Sequence, residues 1–103
     1  MSAPFQSPDR VDVSVVCPFF NEAGIIEHAI RQMLEQLRTL PGSWELIVVN
    51  DGSTDQTRTI SERFGYIRLI NQENKGLSAA RNVGIAAAEG EIRAGGGLRP
   101  RLP

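Results

Sequence analysis

Three short polar clusters in this sequence each follow an apolar run, and they hold its best candidates for chemistry. The first, Pro18-Phe19-Phe20-Asn21-Glu22, sets an amide and a carboxylate behind the β-branched stretch Val13–Val16. Glu22 can accept from ribose hydroxyls while the turn frames a nucleoside; equally, Asn21 suits a helix N-cap and Glu22 favours the helix dipole. The second cluster is Asn50-Asp51-Gly52-Ser53-Thr54-Asp55. Asp51 there can accept from a base imino N–H or a ribose hydroxyl, or close an Asx-turn at a strand end. Gly52 supplies a tight turn, and Ser53 with Gln56 matches a capping box. In the third cluster Asn74-Lys75-Gly76 leads into a stretch bearing Arg81. A lysine, a helix N-terminus and an arginine at one edge suit an anion such as a diphosphate, whereas the bland alternative is two solvated cations. His28 reads as a packing or surface residue without chemistry, and Cys17 as a small core residue.

The elements that position these clusters can be read from periodicity. Val11, Val13, Val15 and Val16 predict a strand ending near Cys17, because Pro18 cannot donate to a ladder. From Glu22 onward Ile25, Ile26, Ala29, Ile30, Met33, Leu34 and Leu37 recur at helical spacing, with charged residues on the opposite face. After Pro41-Gly42, Trp44 to Asn50 is apolar without alternation, as expected of a strand covered on both faces. The capping box predicts a short helix to Phe64, stopped by Gly65. Tyr66 to Asn71 predicts a third strand, and an Ala-rich helix follows from Leu77 to Glu89 with Gly90 as its C-terminal cap. Strands alternating with helices in the order βαβαβα predict an α/β fold with a parallel sheet and right-handed crossovers. Ligands of such sheets bind outside the carboxyl ends of the strands, where all three clusters lie.

Composition narrows the classes further. The 103 residues suffice for one small domain, residues 1–10 form a flexible lead-in, and 41% hydrophobic with 22% charged residues is ordinary for a globular chain. One Cys and one His exclude a disulfide framework and a zinc module. No apolar run approaches the ~18 residues of a membrane span, and Met1–Arg10 has no secretory character, so a cytoplasmic protein is expected. The net charge is −1, yet residues 92–103 carry Arg93, Arg99 and Arg101 and no acid. Three arginines without interleaved aromatics do not make a nucleic-acid site. Neither G-x-G-x-x-G nor G-x-x-x-x-G-K-[ST] occurs, and a signalling receiver would need acids where Cys17-Pro18 and Asn71 stand.

Taken together, Val13–Glu22, Glu45–Asp55 and Asn74–Gly84 resemble, in order and spacing, the N-terminal half of family 2 glycosyltransferases over residues 11–91. The resemblance implies a GT-A fold, that is, a Rossmann-like sheet that binds a UDP or GDP sugar and passes the sugar to an acceptor with inversion. It sets Pro18 and Glu22 beside the nucleoside, Asp51 on the base, and Arg81 with Lys75 on the nucleotide. Asn50 stands where many members carry a first acid. In the family the pair seen here as Gly90-Glu91 precedes a buried strand ending in a D-x-D motif that holds Mn²⁺ or Mg²⁺. Here Ile92-Arg93-Ala94-Gly95-Gly96-Gly97 and the rest of an irregular Gly/Arg/Pro tail follow instead, with no acid past Glu91. The expectation is therefore a βαβαβα half truncated before the metal-binding strand, with no strand after Glu91, an unpaired edge on the first strand, and no metal ligand or catalytic residue of its own. A truncated or frame-disrupted gene product, inactive alone, fits that pattern. The alternatives are a non-catalytic nucleotide-binding module, a split partner, or a non-functional product. The acceptor is left open among a sugar, a polysaccharide and a lipid-linked chain.

Overall fold

The computed structural model describes residues 11–94; the lead-in 1–10 and the tail beyond Ala94 lie outside the described residues. Four strands and three helices alternate: β1 (Val13–Phe19), α1 (Ile26–Leu37), β2 (Trp44–Asp51), α2 (Thr57–Ser61), β3 (Arg68–Gln72), α3 (Leu77–Ala87) and β4 (Glu91–Ala94). The sheet is parallel throughout, in the order β3-β2-β1-β4. The chain thus moves outward from β1 to β3 and then returns to the far side of β1. That reversal puts a topological switch point beside the β1 loop, where ligands of open α/β sheets bind.

The sheet separates two cores. On one face Val15, Cys17 and Phe19 with Trp44, Leu46 and Val48 meet the apolar stripe of α1, namely Ile26, Ile30, Met33, Leu34 and Leu37. On the other, Val16, Ile47 and Val49 meet Ala80 of α3. This second contact is close because α3 presents small residues: a Cβ on Gly84 would overlap Val16 Cγ1 and lie 3.2 Å from Val49 Cγ2. The covered run of β2 is buried at every position from Trp44 to Asp51, as its sequence predicts.

Helix α2 ends at Ser61 rather than Phe64 and β3 runs Arg68–Gln72 rather than Tyr66–Asn71, and four further boundaries differ from expectation for a physical reason. Strand β1 runs through Pro18 to Phe19, because β4 pairs only with Val13–Val16 and among the described residues no strand flanks that side of Pro18. Asn21 and Ser53 do not cap helices. Ser53 Oγ instead accepts the Asn21 N–H at 2.9 Å, α1 and α2 start without a side-chain cap on Ile25 and Gln56, and Asp55 Oδ1 accepts the Thr57 N–H at 2.9 Å. Gly90 is not a helix cap either, since α3 ends at Ala87 with Ala88 as its cap residue. A Cβ on Gly90 would lie 2.8 Å from Asp12 C, Val11 O and Val13 N, so glycine there admits the chain alongside β1.

The largest correction follows from that approach. Residues 91–94 do form a strand, and the far side of β1 is paired over Val13–Val16 rather than open. Parallel pairing draws on backbone groups, so a four-residue segment delivered by Gly90 suffices without an apolar pattern. Glu91 N donates to Asp12 O at 3.0 Å and Gly90 N to Ser14 Oγ at 2.8 Å, which fixes its entry.

Candidate functional site

The carboxyl ends of β1, β2 and β3 deliver three loops to one edge, and side chains bind those loops together. Asp51, the last residue of β2, is the hub and only 1% exposed. Its Oδ1 accepts from Gln72 Nε2 at 2.9 Å and from Lys75 N at 2.8 Å, and its Oδ2 accepts from Gly76 N at 2.9 Å. Asn74 Nδ2 adds a bond to the Asp51 carbonyl at 3.1 Å. These donors, Gln72 first and then the Lys75 and Gly76 N–H groups, hold the Asp51 carboxyl below the usual carboxylate range although burial opposes them. A carboxylate offers about four acceptor positions, so these three bonds leave one unfilled on a side chain with almost no exposure. Gly52, at φ +73°, lets Asn74 come close: a Cβ there would lie 2.5 Å from Asn74 N.

A second set of bonds joins the β1 loop to the β2 loop. Asn21 adopts φ +51°, a left-handed conformation that asparagine tolerates better than most residues. Its Oδ1 accepts from Thr54 N at 2.8 Å and Asp55 N at 3.3 Å, and its Nδ2 donates to Thr54 Oγ1 at 3.3 Å. Glu22 N donates to Thr57 Oγ1 at 2.7 Å and Ala23 N to Asp55 Oδ2 at 3.2 Å. Thr57, through both Oγ1 and N–H, is the main reason the Asp55 carboxyl titrates below its ordinary value. Asn50 completes the frame, donating to Asn71 Oδ1 at 3.0 Å and accepting from Ser53 N at 3.2 Å.

Of the residues singled out from sequence, Pro18 lies half-buried on β1 opposite Val49. The Glu22 carbonyl accepts from the N–H groups of Ile25 and Ile26 at 3.0 and 2.8 Å, which turns the chain into α1. Among the described residues no hydrogen bond or ion pair engages the Glu22 carboxylate, the Lys75 ammonium or the Arg81 guanidinium, and Lys75 and Arg81 are exposed. Cys17 is buried and its thiol is pushed up to about 12 by that burial, with the Arg81 charge offsetting a small part. His28 is exposed on α1. Sequence reasoning missed Asn21 as a link between loops, and Gln72 and Thr57 altogether. Their only signal was polarity next to the three clusters.

A divalent ion does not fit the described residues. Of the four carboxylates at this edge, Asp51 and Asp55 are engaged by N–H and hydroxyl donors, leaving Glu22 and Glu73, and no group of three potential ligands gathers among the described residues. A concavity of about 420 Å³ lies elsewhere, between α1 and α2, lined by Arg31, Leu34, Arg63, Phe64 and Tyr66 among others. Arg31 stacks there over Phe64 at 5.5 Å and pairs with Glu27, so the groove is a mixed-charge surface seam rather than a convergent site.

A second buried carboxylate lies at the opposite end of the sheet. Glu45, 4% exposed, accepts from Ser14 Oγ at 2.7 Å and Glu89 N at 2.8 Å through Oε2, and from Arg68 at 2.7 Å through Oε1. Burial raises its pKa, yet the bonds from Arg68, Ser14 and Glu89 outweigh it and the net shift is downward. This cluster ties α3 and β4 to the sheet and takes no part in the loop edge.

A parallel sheet with a switch point at β1 and three cross-bonded loops at its carboxyl edge defines a Rossmann-like α/β fold. The profile of Glycosyl transferase family 2 matches residues 14–94, and the chain belongs to that family. It is 43% identical over 82 residues to the uncharacterized glycosyltransferase EpsJ of Bacillus subtilis (strain 168), covering 76% of this chain and 23% of that protein. The mannosyltransferase PcManGT from Pyrobaculum calidifontis, solved with GDP-Man and Mn²⁺, superposes with a TM-score of 0.65 at 30% identity over 88% of this chain and 29% of its own. TarS from S. aureus, residues 1 to 349 with UDP-GlcNAc, gives a TM-score of 0.58 at 30% identity over 82% of this chain and 26% of its own. The chain therefore spans about a quarter of the length of these relatives. No helix among the described residues is long and apolar enough to cross a membrane.

Proposed function

We propose that this chain binds the nucleotide of a UDP- or GDP-sugar and serves as the donor-binding part of an inverting glycosyltransferase. The observation that carries the reading is that the three loops at one edge are locked to each other through Asp51 and Asn21, while Glu22 and Lys75 on those loops and Arg81 in the helix that follows keep uncommitted charges. In this reading Pro18 and Glu22 flank the nucleoside, with the carboxylate accepting from ribose hydroxyls. Asp51 turns its remaining lone pair to a base N–H. Lys75 and Arg81 meet the diphosphate, Arg81 through directional paired bonds and Lys75 as a point charge. Because the Lys75 and Gly76 N–H groups already serve Asp51, side chains rather than that turn's backbone neutralise the phosphates.

Relatives solved with GDP-Man and with UDP-GlcNAc support a nucleotide-sugar donor. The Mn²⁺ bound by the first of these supports a divalent ion in the complete enzyme, where it would offset charge on the leaving diphosphate. Sugar transfer needs an acceptor site and a base to deprotonate the attacking hydroxyl. Residues 14–94 supply the donor side, so transfer by this chain alone is not expected. Calorimetric titration with UDP and with GDP tests the reading. One of them is expected to bind, more weakly as salt rises, and Arg81→Ala is expected to lower affinity by about tenfold, the loss of one charge-assisted contact. Binding of neither nucleotide would refute it.

A further inference from the structure

Resting on that nucleotide reading, we infer that Asn21 is a positioning residue that sets the gap between the nucleoside-flanking loop of β1 and the base-facing loop of β2. Asn21 immediately precedes Glu22 in the β1 loop, and its backbone N–H and both polar atoms of its amide are directed across the edge to the β2 loop. Its backbone N–H reaches Ser53 Oγ at 2.9 Å, its Oδ1 takes the N–H groups of Thr54 and Asp55 at 2.8 and 3.3 Å, and its Nδ2 reaches Thr54 Oγ1 at 3.3 Å. The partners are 32 to 34 residues away, so this is a tertiary staple and not a local turn.

The geometry depends on two properties found together in asparagine. The backbone at φ +51° lies in a region costly for most side chains, and asparagine enters it more readily than alanine or a β-branched residue. The amide then offers an acceptor for two N–H groups and a donor for a hydroxyl, which neither glycine nor alanine provides. The segment it captures, Ser53 to Asp55, starts two residues after Asp51, and Ser53 N is held in turn by Asn50 Oδ1 at 3.2 Å. On the other side the next residue is Glu22, whose own N–H is bonded to Thr57. The staple therefore fixes the spacing between the backbones that carry Glu22 and Asp51 before any ligand arrives, and a preorganised gap saves ordering entropy on binding.

The side-chain share is isolated by Asn21→Gly, which keeps the left-handed backbone accessible and removes only the amide. Amide hydrogen exchange and UDP and GDP titrations are run on the same two proteins. The expected result is faster exchange at Thr54 and Asp55 with the sheet amides of β1 and β2 still protected, together with a nucleotide affinity at least about fivefold weaker. Asn21→Asp, which keeps both acceptors for Thr54 and Asp55, is expected to restore their protection. If wild type binds and Asn21→Gly binds equally well while Thr54 and Asp55 exchange freely, the positioning role is overturned and the nucleotide reading stands. If wild type binds neither nucleotide, the nucleotide reading falls and takes the positioning role with it.

Discussion

Replacing Glu45 separates the energetic parts of the buried carboxylate cluster beneath the sheet. Its Oε2 serves the buried Ser14 hydroxyl and the part-buried Glu89 N–H, whereas its Oε1 serves Arg68, whose side chain is 45% exposed. Glu45→Gln retains an oxygen for the first two donors and loses only the screened ion pair, so a cost of about 1 kcal/mol is expected. Glu45→Ala strands the Ser14 hydroxyl at about 1–3 kcal/mol and leaves the Glu89 N–H only partly reachable by water. It also leaves the space of the side chain unfilled, so a total of about 2–4 kcal/mol is expected. Against a domain stability of about 5–15 kcal/mol this is a large fraction. Urea unfolding followed by far-UV circular dichroism at pH 7 measures both variants. The pH dependence follows in sign: the folded pKa of Glu45 is lowered, so its contribution is complete above the unfolded glutamate value and is lost as pH falls through the folded value. Wild type should therefore lose stability on acidification below the usual carboxylate range more steeply than Glu45→Gln. Equal stability of Glu45→Ala and Glu45→Gln would refute the assignment of the energy to Ser14 and Glu89.

Three further outcomes follow from the packing and the loops. Gly84→Ala, which in an exposed helix would stabilise by about 1 kcal/mol, should here destabilise by about 1–2 kcal/mol, because the new methyl meets Val16 and Val49. Thermal melting would show this as a fall of several degrees, and a rise would contradict the close α3 packing. Asp51→Asn should speed amide exchange at Lys75 and Gly76, since one acceptor oxygen becomes a donor facing N–H groups. In wild type the same protection should persist as pH falls until the lowered Asp51 pKa is crossed, as exchange at several acidic pH values would show. Cys17, buried and with its thiol pushed up to about 12, should resist a thiol reagent at neutral pH until the chain unfolds; rapid labelling of native protein would contradict its place in the core.

The parts of the fold legible in the sequence are those fixed by apolar pattern. Ile26, Ile30, Met33, Leu34 and Leu37 repeat at helical spacing and bury one face of α1, and the unbroken run of β2 is covered on both sides. Element ends were harder to read, because they depend on polar residues whose partners lie far along the chain. Ser53 and Asn21 have the composition of helix caps, yet each finds the other across 32 residues, and a tertiary bond displaces the local one. Gly90 looks like a helix terminator, although what demands glycine is the backbone of Asp12 and Val13 alongside it. Strand β4 is only four residues long, too short for its alternation to stand out; its pairing comes from the free flank of β1, which no local window can show. Glu45 gave one sequence signal that was passed over, a charge at the head of a run that must be covered on both faces. That Glu22, Asp51 and Lys75 would lie at one edge, with Arg81 in the helix that follows, was legible because loops after parallel strands share one edge. The internal bonding of Asp51 was not, since it depends on where the Lys75-Gly76 turn comes to rest.

The central claim is that nucleotide binds at the carboxyl edge of the sheet and not in the groove between α1 and α2. A ¹⁵N-labelled chain titrated with UDP and with GDP, followed by amide chemical shifts, tests it directly. The account predicts saturable shifts concentrated at Phe19–Glu22, Asp51–Thr54 and Lys75–Arg81, with Arg31, Arg63 and Tyr66 unmoved. Shifts centred on Arg31, Arg63 and Tyr66, or none with either nucleotide, would contradict it.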